Sequence, residues 1–182
     1  MSPRPPRLPR LVPLAVMLLA LVGCGTDETK FAPVCPKLSL LQDASDLLRF
    51  AGPPGAPHDA RSMLLAAHIV AVPAHCGLAG TDEVRAVLNL VAEVRRGPAA
   101  TGDTATIPYF VAITQNGHVL DELNYTLSAK FRPNVATMTV KGGDVDFTLP
   151  VSRTVSAAAY HLYVGFRLSP AELGYNRQAA PH

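Results

Sequence analysis

Between Glu83 and Arg95 the chain alternates with a period of two. Val84, Ala86, Leu88, Leu90, Ala92 and Val94 take one side, while Glu83, Arg85, Asn89, Glu93 and Arg95 take the other. Successive side chains of an extended backbone point to opposite faces, so this run predicts a strand with one face in a core and one in water. A helix would repeat its apolar positions every three to four residues instead. Arg96-Gly97-Pro98 stops the strand, because proline has no N–H to give to a ladder. Such a strand needs partners, and the chain supplies them.

Ile107 to Thr114 and Val119 to Leu127 flank Asn116-Gly117. Both residues tolerate positive φ, so the pair predicts a tight hairpin with Val119, Leu123, Tyr125 and Leu127 on one face of its second arm. Val135 to Val140 and Val145 to Leu149 flank Gly142-Gly143, which predicts a second hairpin of the same kind. Tyr160, Leu162, Val164, Phe166 and Leu168 share one side of a last strand. Met63 to Ala71 is apolar on both faces apart from His68, which predicts a strand buried on both sides, ended by Pro73 and Cys76-Gly77.

Lys37 to Phe50 fits a helical stripe through Leu38, Leu41, Ser45 and Leu48, and also the alternation Leu38-Ser39-Leu40. We read it as a short strand, a turn at Asp43-Ala44-Ser45 and a second short piece. Gly52 to Pro57 is a loop. Ser169 followed by Pro170 opens one short helix, and the tail from Arg177 has nothing to bury. The fold expected is all-β, an antiparallel β-sandwich with one short C-terminal helix.

The amino terminus is of another kind. Arg4, Arg7 and Arg10 precede an apolar run from Leu11 to Val22, broken only by Pro13. A membrane-spanning helix needs ~20 apolar residues, so this run suits a removable secretory signal. Its end, Leu21-Val22-Gly23-Cys24, resembles the bacterial lipobox, in which the cysteine receives diacylglycerol and becomes the mature amino terminus. That resemblance implies a lipoprotein lipidated at Cys24, and Gly25 in place of an inner-membrane retention aspartate implies the outer membrane, facing the periplasm. The expected organisation is a cleaved signal over 1–23, a lipidated tether over 24–34, the β-sandwich over 35–176 and a loose tail over 177–182. Palmitate-type acylation through more than one chain would hold the protein firmly on the bilayer.

Export changes the charge and the cysteine count. Of the 16 Lys and Arg residues, three lie in the signal, leaving 13 against 14 Asp and Glu. The mature chain therefore has no clustered positive field, and nucleic acid is excluded as a partner. With Cys24 acylated, Cys35 and Cys76 remain, and an oxidising compartment predicts a disulfide between them. Closing that loop stabilises the fold by roughly 4 kcal/mol in the chain-entropy model.

Two further resemblances are local. Tyr160-x-x-x-Val164 resembles the strand of immunoglobulin-like and fibronectin type III domains in which a tyrosine hydroxyl caps a backbone turn. That resemblance implies an immunoglobulin-like sandwich. Ile107–Ile113, Val94–Pro98 and Val164–Arg177 resemble uncharacterised bacterial envelope lipoproteins, which implies a location and no chemistry.

No phosphate-binding loop, nucleophile elbow, zinc-protease or CxxC motif occurs. His68, His75 and Cys76, with Cys35 nearby, make the best metal set, but adjacent strand residues point apart and oxidation removes the thiolates. No metal or cofactor is expected. Asp43 with Asp46, Asp121 with Glu122, and Asp144 with Asp146 each lie in or beside a turn, where carboxylates bond their own backbone. Ser128, His118 and Asp121 form a catalytic set only on paper. The polar face of the last strand is more promising. His161, Tyr163 and Arg167 oppose its core side, and with Tyr109 they form a candidate partner surface, since Tyr and Arg are enriched at binding hot spots. The expected function is a lipid-anchored, non-catalytic domain that binds or scaffolds another envelope component. A periplasmic small-ligand or metal carrier is the alternative, and an envelope enzyme the third.

Overall fold

A computed structural model describes residues 34–53 and 58–179. Eleven strands and one helix make up this part of the chain: β1 (Lys37–Leu40), β2 (Asp46–Phe50), β3 (Met63–Ala71), β4 (Ala74–Leu78), β5 (Glu83–Leu88), β6 (Val91–Arg96), β7 (Thr104–Gln115), β8 (His118–Lys130), β9 (Thr137–Lys141), β10 (Val145–Pro150), β11 (Tyr160–Phe166) and α1 (Pro170–Ala179). The ambiguous segment at the start is extended, as β1, a 3-10 turn over Gln42–Ala44, and β2. The fold is all-β, with antiparallel pairing throughout except between β1 and β11.

One sheet, the front, has the order β1-β11-β7-β8. The β7–β8 hairpin turns at Asn116 and Gly117, whose φ angles of 52° and 81° are those a two-residue turn matching the strand twist requires. The opposing wall has the order β2-β3-β6-β9, continued by a panel of order β10-β5-β4. Buried side chains from both sheets, among them Leu47, Ile69, Val94, Ile107, Val111 and Val164, form one core.

Three chain segments run from the wall into the panel and bend together. Val84, Ala86, Leu88, Leu90, Ala92 and Val94 are all buried, so the alternation survives the break between β5 and β6. The segments on either side each carry one extra residue. Ile69 opposes Ala92 and Ala74 opposes Leu88; Lys141 opposes Val91 and Val145 opposes Leu88. Both are bulges, which let a sheet turn a corner. Hydrogen bonds from Asn89 N to the Pro73 carbonyl (3.1 Å) and from Gly142 N to the Leu90 carbonyl (2.8 Å) carry the ladder across it.

The corner corrects three expectations. Gly142-Gly143 is no hairpin turn, because β9 pairs with β6 and β10 with β5. The glycines sit at a bulge, where a Cβ on Gly142 would come within 3.2 Å of the Tyr109 hydroxyl oxygen. β3 ends before Pro73 as expected, but Cys76-Gly77 ends no strand: both residues lie inside β4, which starts at Ala74. β3 is buried on one face only: Met63, Leu65, Ala67 and Ile69 face the core, while His68 and the bulged Val70 are exposed. The tail also begins later than Arg177, since α1 runs to Ala179 and Arg177 Nε reaches Asp43 Oδ2 at 2.8 Å.

Cys35 and Cys76 form a disulfide with Cα atoms 5.8 Å apart. It ties the segment before β1, at one edge of the front sheet, to β4, at the edge of the panel. Tyr160 donates its hydroxyl hydrogen bond to the Pro150 carbonyl at 2.7 Å, joining β11 to the end of β10.

Candidate functional site

The outer face of the front sheet collects most of the candidate partner residues. β11 turns His161 and Tyr163 outward, with Arg167 just past its end, because the alternate residues Tyr160, Leu162, Val164 and Phe166 fill the core. His161 and Tyr163 stack, with ring centroids 4.2 Å apart and planes 21° apart. Ser39 of β1 bonds His161 Nε2 at 2.8 Å, so the stack is fixed against the neighbouring strand. Both rings remain half-buried. Arg167 is exposed; it pairs with Glu122 and donates from Nε to Asn124 Oδ1 at 2.6 Å.

Tyr109 does not belong to this surface. It is only 2% exposed and packs in the core, stacked on Tyr125 at 5.4 Å. Burial holds its hydroxyl above the usual tyrosine pKa, with a smaller contribution from Tyr125. The signal was present in the sequence: β7 starts at Thr104, so Tyr109 shares the parity of Ile107, Val111 and Ile113. Phe110, one residue on, takes the outer face instead.

A groove of about 450 Å³ lies between the front sheet and α1. Leu40, Leu41, Phe110, Leu168 and Leu173 line it, and Arg167 with Glu122 forms part of its rim. Leu40 and Leu41 are each 36% exposed. Strand periodicity could not find this groove, since Leu41 follows the end of β1 and Leu173 comes from the helix.

A second depression, about 760 Å³, lies on the outer face of the wall. His68 Nδ1 meets Asp46 Oδ1 there at 2.7 Å, and Glu93 opposes His68 on β6. Arg95, Tyr175 and Asn176 complete the lining. α1 is held over it by Asn176 Nδ2, which donates to the carbonyls of Asp43 (2.9 Å) and Asp46 (2.8 Å). His58 stacks on Phe50 at 4.5 Å beside the same helix.

The other candidates disperse. Cys76 is in the disulfide and His75 is exposed on β4, and among the described residues no three His, Cys, Asp or Glu side chains are placed to hold a metal ion. Asp121 accepts from the Glu122 backbone at 2.8 Å, Asp144 from Asn89 at 3.0 Å, and Asp146 from Arg85. His118 and Ser128 stand on one strand about 33 Å apart, too far to share a proton. Cys24, the candidate lipidation site, lies outside the described residues, and among these no helix is long and apolar enough to cross a membrane. Comparison with protein-family models, curated proteins and solved structures finds no match to this chain.

Proposed function

We propose that the chain is a lipoprotein anchored at Cys24 to the outer membrane, whose outer front-sheet face binds another protein of the cell envelope without catalysis. The observation that carries this reading is the His161–Tyr163 stack on the same sheet face as Phe110 and the Arg167–Glu122 pair, which also line the groove holding Leu40 and Leu41. Amphipathic rings, exposed leucines and an arginine have the composition of a protein-binding patch. The lipid would confine the domain to a surface and raise its effective concentration near partners held there.

The test is crosslinking in intact envelopes. The natural chain, Cys24→Ser and Tyr163→Ala are compared for co-purifying proteins. One specific partner, lost in both variants while the fold persists, is the expected result. A partner set indifferent to Tyr163 would sink the proposed surface, and one indifferent to Cys24 would sink the tethering. The depression holding Asp46, His68, Glu93 and Arg95 favours a second reading, capture of a small polar ligand. That reading predicts a rise in melting temperature with some envelope metabolite, abolished by Arg95→Ala.

A further inference from the structure

The long edge of the front sheet carries an inference of its own. β8 is the outermost strand, and among the described residues its backbone pairs only with β7. An unpaired edge of this length is a template for another strand, and edges are ordinarily blunted by charges, prolines or bulges. Here those devices sit at the two ends: the bulge opposite Ile113 and Thr114, with Asp121 and Glu122, at one, and Lys130 at the other. Leu123 to Ala129 between them contains no charge, no proline and no glycine.

Which backbone groups face outward follows from Pro108. It opposes Thr126 and its carbonyl accepts from Arg167 N on the β11 side at 2.9 Å. The backbone groups of one residue in a strand point to one side, so Pro108 and Thr126 form a pair without mutual hydrogen bonds. Thr126 therefore turns its N–H and C=O to the free edge, as do Glu122, Asn124, Ser128 and Lys130.

We infer that this edge pairs with the same edge of a second copy, antiparallel about Thr126, making one continuous eight-stranded sheet. In that register Glu122 of each copy, already paired with Arg167 of its own chain, also faces Lys130 of the other, so each copy's Lys130 meets a carboxylate across the two-fold axis. Asn124 faces Ser128, and Thr126 faces itself and exchanges both of its backbone hydrogen bonds. No other register of this symmetric pairing sets both charges against opposite ones on the same face. The inference does not rest on the proposed partner binding; the two share only Glu122 at the groove's rim, while the His161–Tyr163 stack lies on β11, two strands in from this edge.

Whole cells expressing the full chain are treated with a short reagent that joins two thiols. Thr126→Cys should crosslink as a dimer, because hydrogen-bonded opposite residues lie about 5.5 Å apart between Cα atoms. Asn124→Cys alone should not, since its two copies are offset by about 13 Å along the strand, but co-expressed with Ser128→Cys it should. Adding Lys130→Glu to Thr126→Cys should cut crosslinking roughly tenfold through like charges at two sites. The natural chain, with Cys24, Cys35 and Cys76 only, is the blank. If Thr126→Cys fails to fold, the mixed Asn124 and Ser128 pair still decides. Monomer throughout, equal crosslinking at 124 and 126, or joining to a protein of different mass would each overturn the inference.

Discussion

Gly97 lies where the chain leaving β6 crosses the start of β3. Its N–H donates to the Leu64 carbonyl at 2.9 Å, and a Cβ there would overlap the Met63 carbonyl. Gly97→Ala is therefore expected to cost about 1–3 kcal/mol, seen as a lower urea midpoint at unchanged slope. The sequence marks Gly97 only as a strand stop, because the atom that forbids a side chain comes from a distant part of the chain. Arg85 gives a second prediction at this scale. Its hydrogen bond and charge hold the Asp146 carboxyl below its ordinary value of 3.8. A carboxylate whose pKa is lower folded than unfolded stabilises above the unfolded pKa, and the contribution fades as pH falls through the folded one. The stability gap between the natural chain and Arg85→Ala should thus close in acid below about pH 4, measured by denaturation across pH. The parity of Tyr109 was equally open to reading. Within the stretch from Ile107 to Thr114, Tyr109 already shares the side of Ile107, Val111 and Ile113, and the polar hydroxyl that suggests an outer position stays on a ring stacked in the core on Tyr125.

The helix α1 is anchored by its first turn. Glu172 N donates to Ser169 Oγ at 3.3 Å, and Ser169 N to Glu172 Oε2 at 2.7 Å, a reciprocal cap. Glu172 Oε1 also accepts from Arg49 Nε at 3.0 Å, tying the cap to β2. Ser169→Ala should cost about 1 kcal/mol, read by thermal unfolding, and should loosen both grooves beside the helix. Ser169 with Pro170 announced this element, and Asn116-Gly117 announced its hairpin, since each signal is local. Gly142-Gly143 misled because a hairpin turn and a bulge ask for the same residue. What separates them is whether the following strand returns to the one before it or to a third strand, and no local pattern encodes that choice. β3 misled for a related reason: Ala66 and Val70 suit a core, yet Ala66 lines an open depression and Val70 is the bulged residue.

For the molecule as a whole, the disulfide clamps the segment before β1 to the panel. Cys76→Ser is expected to lose roughly 4 kcal/mol, measured against the natural chain by chemical denaturation with and without reductant. The reduced natural chain should match the variant. This pairing was legible from the cysteine count together with the expectation of export, and the layered all-β architecture from repeated alternation. The surface proposed to bind was legible in part: the period of two put His161 and Tyr163 outside, but did not reveal the groove's leucines, which come from a turn and a helix. The corner shared by three neighbouring segments has a further consequence. Its two bulges oppose one unbulged strand, so their residue counts are matched to one another across the sheet. Deleting Asn89 alone would invert either β5 or β6 and send its buried row into water. Length variation among natural versions of this chain should therefore gather at the outer turn near Gly80 and be missing from the crease, where an insertion in one segment is silent only if its neighbours gain one too.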